Sequence, residues 1–416
     1  MKFYLHNLGC DKNRVDGETL SAQLAGAGWK MVDKPEGANL VIVNTCGFIG
    51  PAKEESLEAV FGFSRSTKTV IVGCLSSRYE NELRKDLKEA DAVFGLAHKP
   101  ETAQKILSRY SGPCKRFASV IPRLLSSPAH SAPIKIAEGC DNRCAYCAIP
   151  LIRGSRISRP EKEVLEEARF LRGKGVKELI VVAQDTTAYN GGKGGLPVLL
   201  QKLCGIGFEW IRPMYCHPCG VDDALIGVLA DEPAIVKYID LPLQHISDPL
   251  LKRMNRHYTR AKACRVIERL RQRIPGIALR TTFLVGFPGE TEKDFNELCK
   301  YVKETEFERL GAFAWSAEEG TAAFRMGKRV PERVKQERLE ELLYLASDIL
   351  FRKNRERIGE TVRVLIDETV DNVSLGRTPQ DAPEVDCSVV VKSRKVQPGK
   401  FYTLKIRDAE AYDLFA

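Results

Sequence analysis

Cys140, Cys144 and Cys147 stand in a C-x3-C-x2-C spacing directly after the short apolar run Ile134–Ala137, with the aromatic Tyr146 beside the last thiol. No other feature narrows the fold as much, because a strand end must present three thiols to one point. Three thiolates can hold three irons of a four-iron cluster and leave one iron without a protein ligand. An open position on a redox-active cluster is what a small molecule needs in order to take an electron from it. A zinc knuckle is the alternative, but zinc usually takes four ligands in paired C-x2-C halves, and no fourth Cys or His lies near.

A chain of 416 residues is too long for one compact core, so roughly two or three domains are expected. No apolar run reaches the roughly 18 residues that span a bilayer. Met1–His6 opens a strand-like run without the layout of a signal peptide. A soluble, cytoplasmic protein with no membrane partner is the expectation. Thirteen cysteines then argue for metal or redox use over a disulfide framework. The excess of 64 Lys+Arg over 55 Asp+Glu leaves +9, which permits contact with nucleic acid or ribosome without requiring it.

Residues 1–110 read as small βα units. Phe3–Leu8, Leu40–Val43 and Thr69–Val72 are apolar runs, each followed shortly by a cysteine: Cys10, Cys46 and Cys74. Helical patterns at Asp16–Ala25 and Lys53–Phe61 separate them, which predicts a parallel sheet. Ligands of such sheets gather beyond the carboxyl ends of the strands, so these three thiols are expected to converge on a second three-thiolate site. Three unrelated buried thiols are the alternative. Residues 111–132 read as a linker by their Gly-Pro and Ser-Pro content, and Cys114 within them as incidental.

From 133 to 332 strands and helices alternate again. Strands are expected at Ile134–Ala137, Glu178–Ala183, Trp210–Tyr215, Tyr238–Leu241, Leu279–Val285 and Leu310–Trp315. Helices are expected at Lys162–Leu171, Leu196–Leu203, Ala261–Arg273 and Glu292–Glu304. Six βα units suit a partial (β/α)6 barrel, whose site lies at the carboxyl ends of the strands. Gln184, Asp185, His217, Gln244, His245, Glu318 and Glu319 follow those strands and together predict a polar mouth, though each alone reads equally well as a structural polar group. The turn Gly286-Phe287-Pro288-Gly289-Glu290-Thr291 lets backbone approach a ligand, and Thr291 can equally cap the next helix. Arg143, Arg153, Arg156 and Arg159 crowd the cysteine loop, as partners for carboxylates or as a solvated charged loop. Cys216-x2-Cys219 has no matching half and is not read as a metal site.

Residues 333–357 read as an amphipathic helix with Leu339, Leu342, Leu343, Leu345, Ile349 and Leu350 at helical spacing. Residues 358–416 change to short β runs, Thr361–Ile366, Ser388–Val391 and Phe401–Ile406, which suggest a small five-stranded barrel. From Glu360 to Ala416 there are eight Lys/Arg against ten Asp/Glu. That balance argues against phosphate binding and for a basic protein partner.

The C-x3-C-x2-C loop with its Tyr146 resembles the signature of radical S-adenosylmethionine enzymes, and the likeness extends along the chain. Leu8-Gly9-Cys10-Asp11-Lys12-Asn13-Arg14-Val15-Asp16, Asn44-Thr45-Cys46-Gly47-Phe48-Ile49 and Gly73-Cys74-Leu75 resemble the N-terminal domain of the methylthiotransferases. Val182–Thr187, Leu241–His245 and Phe313–Thr321 resemble their barrel, and Gly376–Asp386 their C-terminal TRAM domain. The last stretch is closest to the branch that methylthiolates the β-carbon of an aspartate in small-subunit ribosomal protein S-12. That branch commonly has Pro where Asp11 stands and Tyr where Trp315 stands, neither a cluster ligand.

The resemblance implies two 4Fe-4S clusters, one on Cys140, Cys144 and Cys147 and one on Cys10, Cys46 and Cys74, with S-adenosyl-L-methionine as cofactor. It places Tyr146, Gln184, Gly286, Pro288, Gly289 and Glu290 near that cofactor, and Arg153, Gln244, His245 and Glu318 toward the substrate. It implies ribosomal protein S-12 as partner, together with an electron donor and a sulfur source that the sequence does not identify. The same chemistry on a tRNA adenosine is the alternative.

Overall fold

The computed structural model describes residues 1–112, 122–126, 128–393 and 395–416, so Cys114 lies outside the described residues. The N-terminal sheet is all parallel, with β1 (Lys2–Asn7), β2 (Lys30–Met31), β3 (Leu40–Thr45), β4 (Thr69–Gly73) and β5 (Ala92–Val93) in the order β2-β1-β3-β4-β5. β3 and β4 read LVIVNT and TVIVG and are buried throughout, as strands covered on both faces must be. Leu20, Leu24, Ile106 and Leu107 cover one face, and Val60 with Leu57 and Phe63 the other. The first helix runs Asp11–Gly26, starting earlier than its apolar pattern shows, because Cys10 is extended and the turn begins directly after it.

Six parallel strands follow: Ser131–Lys135, Glu178–Val182, Trp210–Pro213, Tyr238–Asp240, Ala278–Val285 and Arg309–Ala314. They pair in two groups of three, in the orders third-second-first and fourth-fifth-sixth. The bridge from Ile211 to Ile235 and the Cys216 N–H to the Asp240 carbonyl (2.9 Å) link the two groups. The result is an open α/β barrel. Its helices include Asp223–Asp231, which the sequence reading did not anticipate; Asp222 caps it by accepting from the Leu225 N–H at 2.9 Å. Within the stretch that reads as a linker, Arg123 is buried between Glu18 (3.3 Å) and Glu167 (3.2 Å). Composition registers the turns there but not the carboxylates that await the guanidinium.

The Glu332–Glu356 helix lays Leu342, Ala346, Ile349 and Leu350 against the barrel and leads to the C-terminal domain. That domain is a curled six-stranded sheet, in place of the five strands expected, in the order 401–405, 361–370, 373–377, 388–391, 413–415, 408–409. The final two strands are three and two residues long, too short for alternation to reveal.

The C-terminal domain closes the floor of the barrel, at the end away from the cysteines. Leu365, Ala382 and Phe401 pack among Ile180, Trp210 and Tyr238, with the Trp210 and Phe401 ring centroids 4.8 Å apart. Glu178 takes Arg212 (2.9 Å) and Arg377 (2.7 Å), Arg309 pairs with Asp381, and Arg280 takes Asp386 (3.3 Å). The acidic balance of the domain is therefore internal. Asp367, Asp381 and Asp386, with Arg377, account for its whole excess of two negative charges and face inward ion pairs. The expectation of an acidic surface for a basic partner does not survive this placement. Among the described residues no helix is long and apolar enough to cross a membrane.

Candidate functional site

β1, β3 and β4 are neighbours at the centre of their sheet, so the loops that leave their carboxyl ends start side by side. These loops carry Cys10, Cys46 and Cys74. A Cβ on Gly9 would lie 3.0 Å from the Cys46 sulfur, and one on Gly47 would lie 2.9 Å from the Cys74 carbonyl carbon. The three loops thus touch in sequence order. Asn13 ties the first two together by donating to the carbonyls of Leu8 (2.8 Å), Asn44 and Thr45 (both 3.2 Å), and its Oδ1 lies 3.9 Å from the Cys74 sulfur. Cys10 is exposed and stands at the N-cap position of the Asp11–Gly26 helix. Cys74 is buried, and burial pushes its thiol up to about 12 against the pull of Arg153.

The second set of thiols sits on one loop beyond the first barrel strand. The Cys147 N–H donates to the Cys144 carbonyl (3.0 Å) and the Cys140 N–H to that of Gly154 (3.2 Å). The loop is strapped to residues 254–256: the Ala145 N–H donates to Met254 O (2.8 Å), and the Asn255 side chain donates to Arg143 O (2.8 Å). Arg256 reaches from there to the Cys144 sulfur at 3.5 Å. Burial lifts the Cys147 thiol to about 12; the Ile149 N–H opposes the rise, and Cys144 and Cys140 add to it.

Both donor sets suit iron–sulfur clusters. Each offers three sulfurs, and backbone N–H groups already point at them: Phe48 at Cys46, Asn142 at Cys140 and Ile149 at Cys147. Hydrogen bonds to cluster sulfurs stabilise the thiolate form and tune the potential. The two sets also meet. Cys74 packs with Leu96 against Ala148 and Ile152, the first of which follows Cys147 directly. Ser77 donates to the Ile152 carbonyl at 3.3 Å. Lys12, two residues past Cys10, holds its ammonium 3.2 Å from the centroid of the Tyr215 ring at the end of the third barrel strand.

The residues assigned to cofactor and substrate divide in several directions. Tyr146 packs against the cluster of Leu250, Met254, Phe287 and Trp315 beneath its loop. Gln184 donates to Glu138 (3.0 Å), while its Oε1 is buried without a hydrogen-bond partner among the described residues, as is Nε2 of His217. Such orphaned polar atoms fit the polar groups of an amino-acid-bearing cofactor. Asp185 accepts from Asn142 at 2.7 Å and steadies the cysteine loop. Gln244 is half-buried with left-handed backbone (φ 69°) and continues the fifth-strand ladder. His245 is fully buried: its Nδ1 accepts from the Ser247 N–H (3.0 Å), and burial takes it down to about 4. Its Nε2 is likewise buried without a hydrogen-bond partner among the described residues, 3.8 Å from a Glu290 carboxylate oxygen.

Glu318 is likewise engaged, by Lys53 (2.8 Å) and Arg78 (2.7 Å), and joins barrel to N-terminal domain. Arg153 is buried against Asp16 (2.8 Å) and Glu138 (2.9 Å). Arg159 pairs with Glu167 (2.7 Å), Arg156 bonds to the Ala188 carbonyl, and Arg143 is exposed. Cys216 is buried while Cys219 is exposed and donates to the His257 carbonyl, so they form no pair. Thr291 does cap the Glu292–Thr305 helix, in a capping box with Asp294. Sequence reading passed over Asn13, Asp16 and Arg256. Asn13 and Asp16 stand three apart on the first helix, a helical-face signal; Arg256 has no local signal.

Gly286, Pro288, Gly289 and Glu290 form a turn closed by Glu290, which accepts from the Gly286 N–H (2.8 Å) and from Arg338 (2.8 Å). Gly289 donates to Lys328 O (2.8 Å), and Pro288 O accepts from Arg253 (3.1 Å). Burial lifts the Glu290 carboxyl from 4.5 to about 7, although Arg338 pulls the other way. A raised folded-state pKa means that the fold favours the protonated acid. Stability is therefore expected to fall by about 2–3 kcal/mol as pH rises from 4.5 through 7. Denaturation of wild type and Glu290→Gln across that window checks this: the difference between them is expected to narrow as pH falls, and a constant difference contradicts it.

Comparison with known proteins places these features together. The Radical SAM superfamily matches residues 134–302, the Uncharacterized protein family UPF0004 residues 2–95 and the TRAM domain residues 358–416. Ribosomal protein uS12 methylthiotransferase RimO of Chloroherpeton thalassium is 42% identical over 428 residues, covering 100% of this chain and 98% of the relative. The protein of the same name from Anaeromyxobacter sp. (strain K) is 44% identical over 432 residues, covering 99% of this chain and 92% of the relative. Among solved structures, the radical S-adenosylmethionine methyltransferase TsrM of Kitasatospora setae, with cobalamin and a 4Fe-4S cluster bound, aligns at a TM-score of 0.57 and 16% identity. That alignment covers 75% of this chain and 74% of TsrM and supports the fold alone.

Proposed function

Since the chain belongs to the ribosomal protein uS12 methylthiotransferase family, a branch of the radical S-adenosylmethionine enzymes, we propose that it methylthiolates the β-carbon of an aspartate of uS12, using two clusters that face each other across its domain interface. A C–H bond without acidity is beyond acid–base groups of ordinary pKa. When bound, the clusters and S-adenosylmethionine would supply what is missing: an electron to cleave the sulfonium, a radical to remove the hydrogen, a methylated sulfur for the carbon left behind, and an acceptor for the electron released as the C–S bond forms.

The protein's part is aim and exclusion of water. Cys140, Cys144 and Cys147 hold the cluster that binds S-adenosylmethionine, with Arg256 steadying Cys144. Cys10, Cys46 and Cys74 hold the auxiliary one, with the Asn13 side chain keeping the Cys10 and Cys46 loops in register. Gln184 and His217 offer unpartnered polar atoms to the cofactor. Lys12, a cation whose close contact is a ring face, suits the carboxylate of the target aspartate. The observation that carries the reading is the packing of Cys74 on Ala148 and Ile152, which brings the two thiol sets to one interface.

Mass spectrometry of ribosomal proteins from cells with and without this gene tests it. A gain of one methylthio group on uS12 that depends on the gene is expected. An unchanged uS12 with altered methylthio nucleosides in tRNA overturns it in favour of the tRNA reading.

A further inference from the structure

Arg153 closes the short Ile149–Arg153 helix that follows Cys147, and its guanidinium enters the domain interface. Its side chain is 2% exposed. Nη1 is committed to Asp16 Oδ2 (2.8 Å) and to both oxygens of Glu138 (2.9 and 3.0 Å). Nη2, aimed by that clamp, lies 3.3 Å from Asn13 Oδ1 and 3.1 Å from the Cys74 sulfur. Lys135 pairs with the same two carboxylates. His98 Nδ1 also lies 3.3 Å from Asp16 and 3.8 Å from Glu138; the two carboxylates offset Arg153 and Lys135, so the sulfur faces chiefly one oriented, desolvated N–H donor. A planar fork locked on one side by carboxylates has little freedom to turn its other nitrogen away.

We propose that Arg153 is a positioning residue that sets the reduction potential of the auxiliary cluster through a charge-assisted hydrogen bond to Cys74, a role that rests on the two-cluster reading above. A hydrogen bond to a cluster sulfur is stronger when the cluster carries an added electron, so it raises the potential. Because Arg153 belongs to the segment that carries the other three cysteines, the bond also couples the auxiliary site to the seating of the barrel loop. Among the described residues, Arg153 is the side chain that joins Cys74 to a carboxylate of each domain, Asp16 and Glu138.

Potentiometric titration of the full-length, two-cluster protein, followed by EPR, reads this directly; added S-adenosylmethionine shifts the signal of the barrel cluster and separates the two. Arg153→Gln is expected to move the auxiliary reduction equilibrium at least tenfold toward the oxidised form, about 59 mV for one electron, and to leave the barrel cluster within threefold. Arg153→Lys, which keeps the charge but not the fork, is expected to move it in the same direction by less. An auxiliary potential within threefold of wild type in Arg153→Gln, with iron retained, overturns the proposal. Should Arg153→Gln lose auxiliary iron, Arg153→Lys decides by the same criterion, and loss of iron in both variants overturns tuning in favour of assembly. Wild type carrying about four irons in place of about eight contradicts the two-cluster reading itself, before Arg153 is in question.

Discussion

Replacing Cys74 with alanine is expected to lower the iron content of reconstituted protein from about eight per chain to about four, to abolish methylthio transfer, and to leave reductive cleavage of S-adenosylmethionine intact. The split follows from where the thiols stand. Cys74 leaves β4 of the N-terminal sheet, whereas Cys140, Cys144 and Cys147 all lie on one loop, which hangs from the first barrel strand and is strapped by Met254 and Asn255. Alanine at position 74 keeps the packing against Leu96, Ala148 and Ile152 apolar, so the interface loses one sulfur and gains no buried charge. Cys144→Ala is expected to do the reverse: cofactor cleavage vanishes and the auxiliary irons stay. Iron analysis alongside 5′-deoxyadenosine release checks both. Cofactor cleavage lost in Cys74→Ala, or full iron retained, contradicts the division of labour.

The second large effect lies at the other end of the barrel. Glu178 is fully buried, and although burial pushes its carboxyl upward, Arg377 and Arg212 draw it below the usual range. Glu178→Ala leaves Arg377 with Asp367 at 2.7 Å, but it leaves Arg212 with only the Pro379 carbonyl (2.9 Å) and the face of Tyr238. Removing one partner of a buried ion pair costs about 3–5 kcal/mol, which here falls on the seam between barrel and C-terminal domain. Trp210, edge-on to Phe401, reports that seam. Urea unfolding followed by tryptophan fluorescence, with hydrogen exchange over residues 361–405, is expected to show the C-terminal domain releasing first. A loss below about 1 kcal/mol contradicts a keystone role.

Much of this was legible in the chain itself. Parallel strands under helices on both faces demand unbroken apolar runs, and β3 and β4 show them; a cysteine placed just past three such runs then has few places to go. The C-x3-C-x2-C loop is local chemistry, and local chemistry survives folding. His245 and Glu318 mark the limit: each follows a barrel strand, but one is fully buried and the other is drawn into a salt bridge to the N-terminal domain. A position after a strand says where the backbone goes, not which way the side chain turns.

Periodicity and spacing by themselves determined the three-part architecture and the strand ends that carry the six cysteines, because those depend on residues near in sequence. Only the tertiary structure decided that Arg153 faces Cys74, that Arg256 reaches Cys144, and that the acidic residues of the last domain point into the barrel floor. Charges far apart in sequence cancel or clash only once packing has removed water from between them, and no pattern along the chain records that.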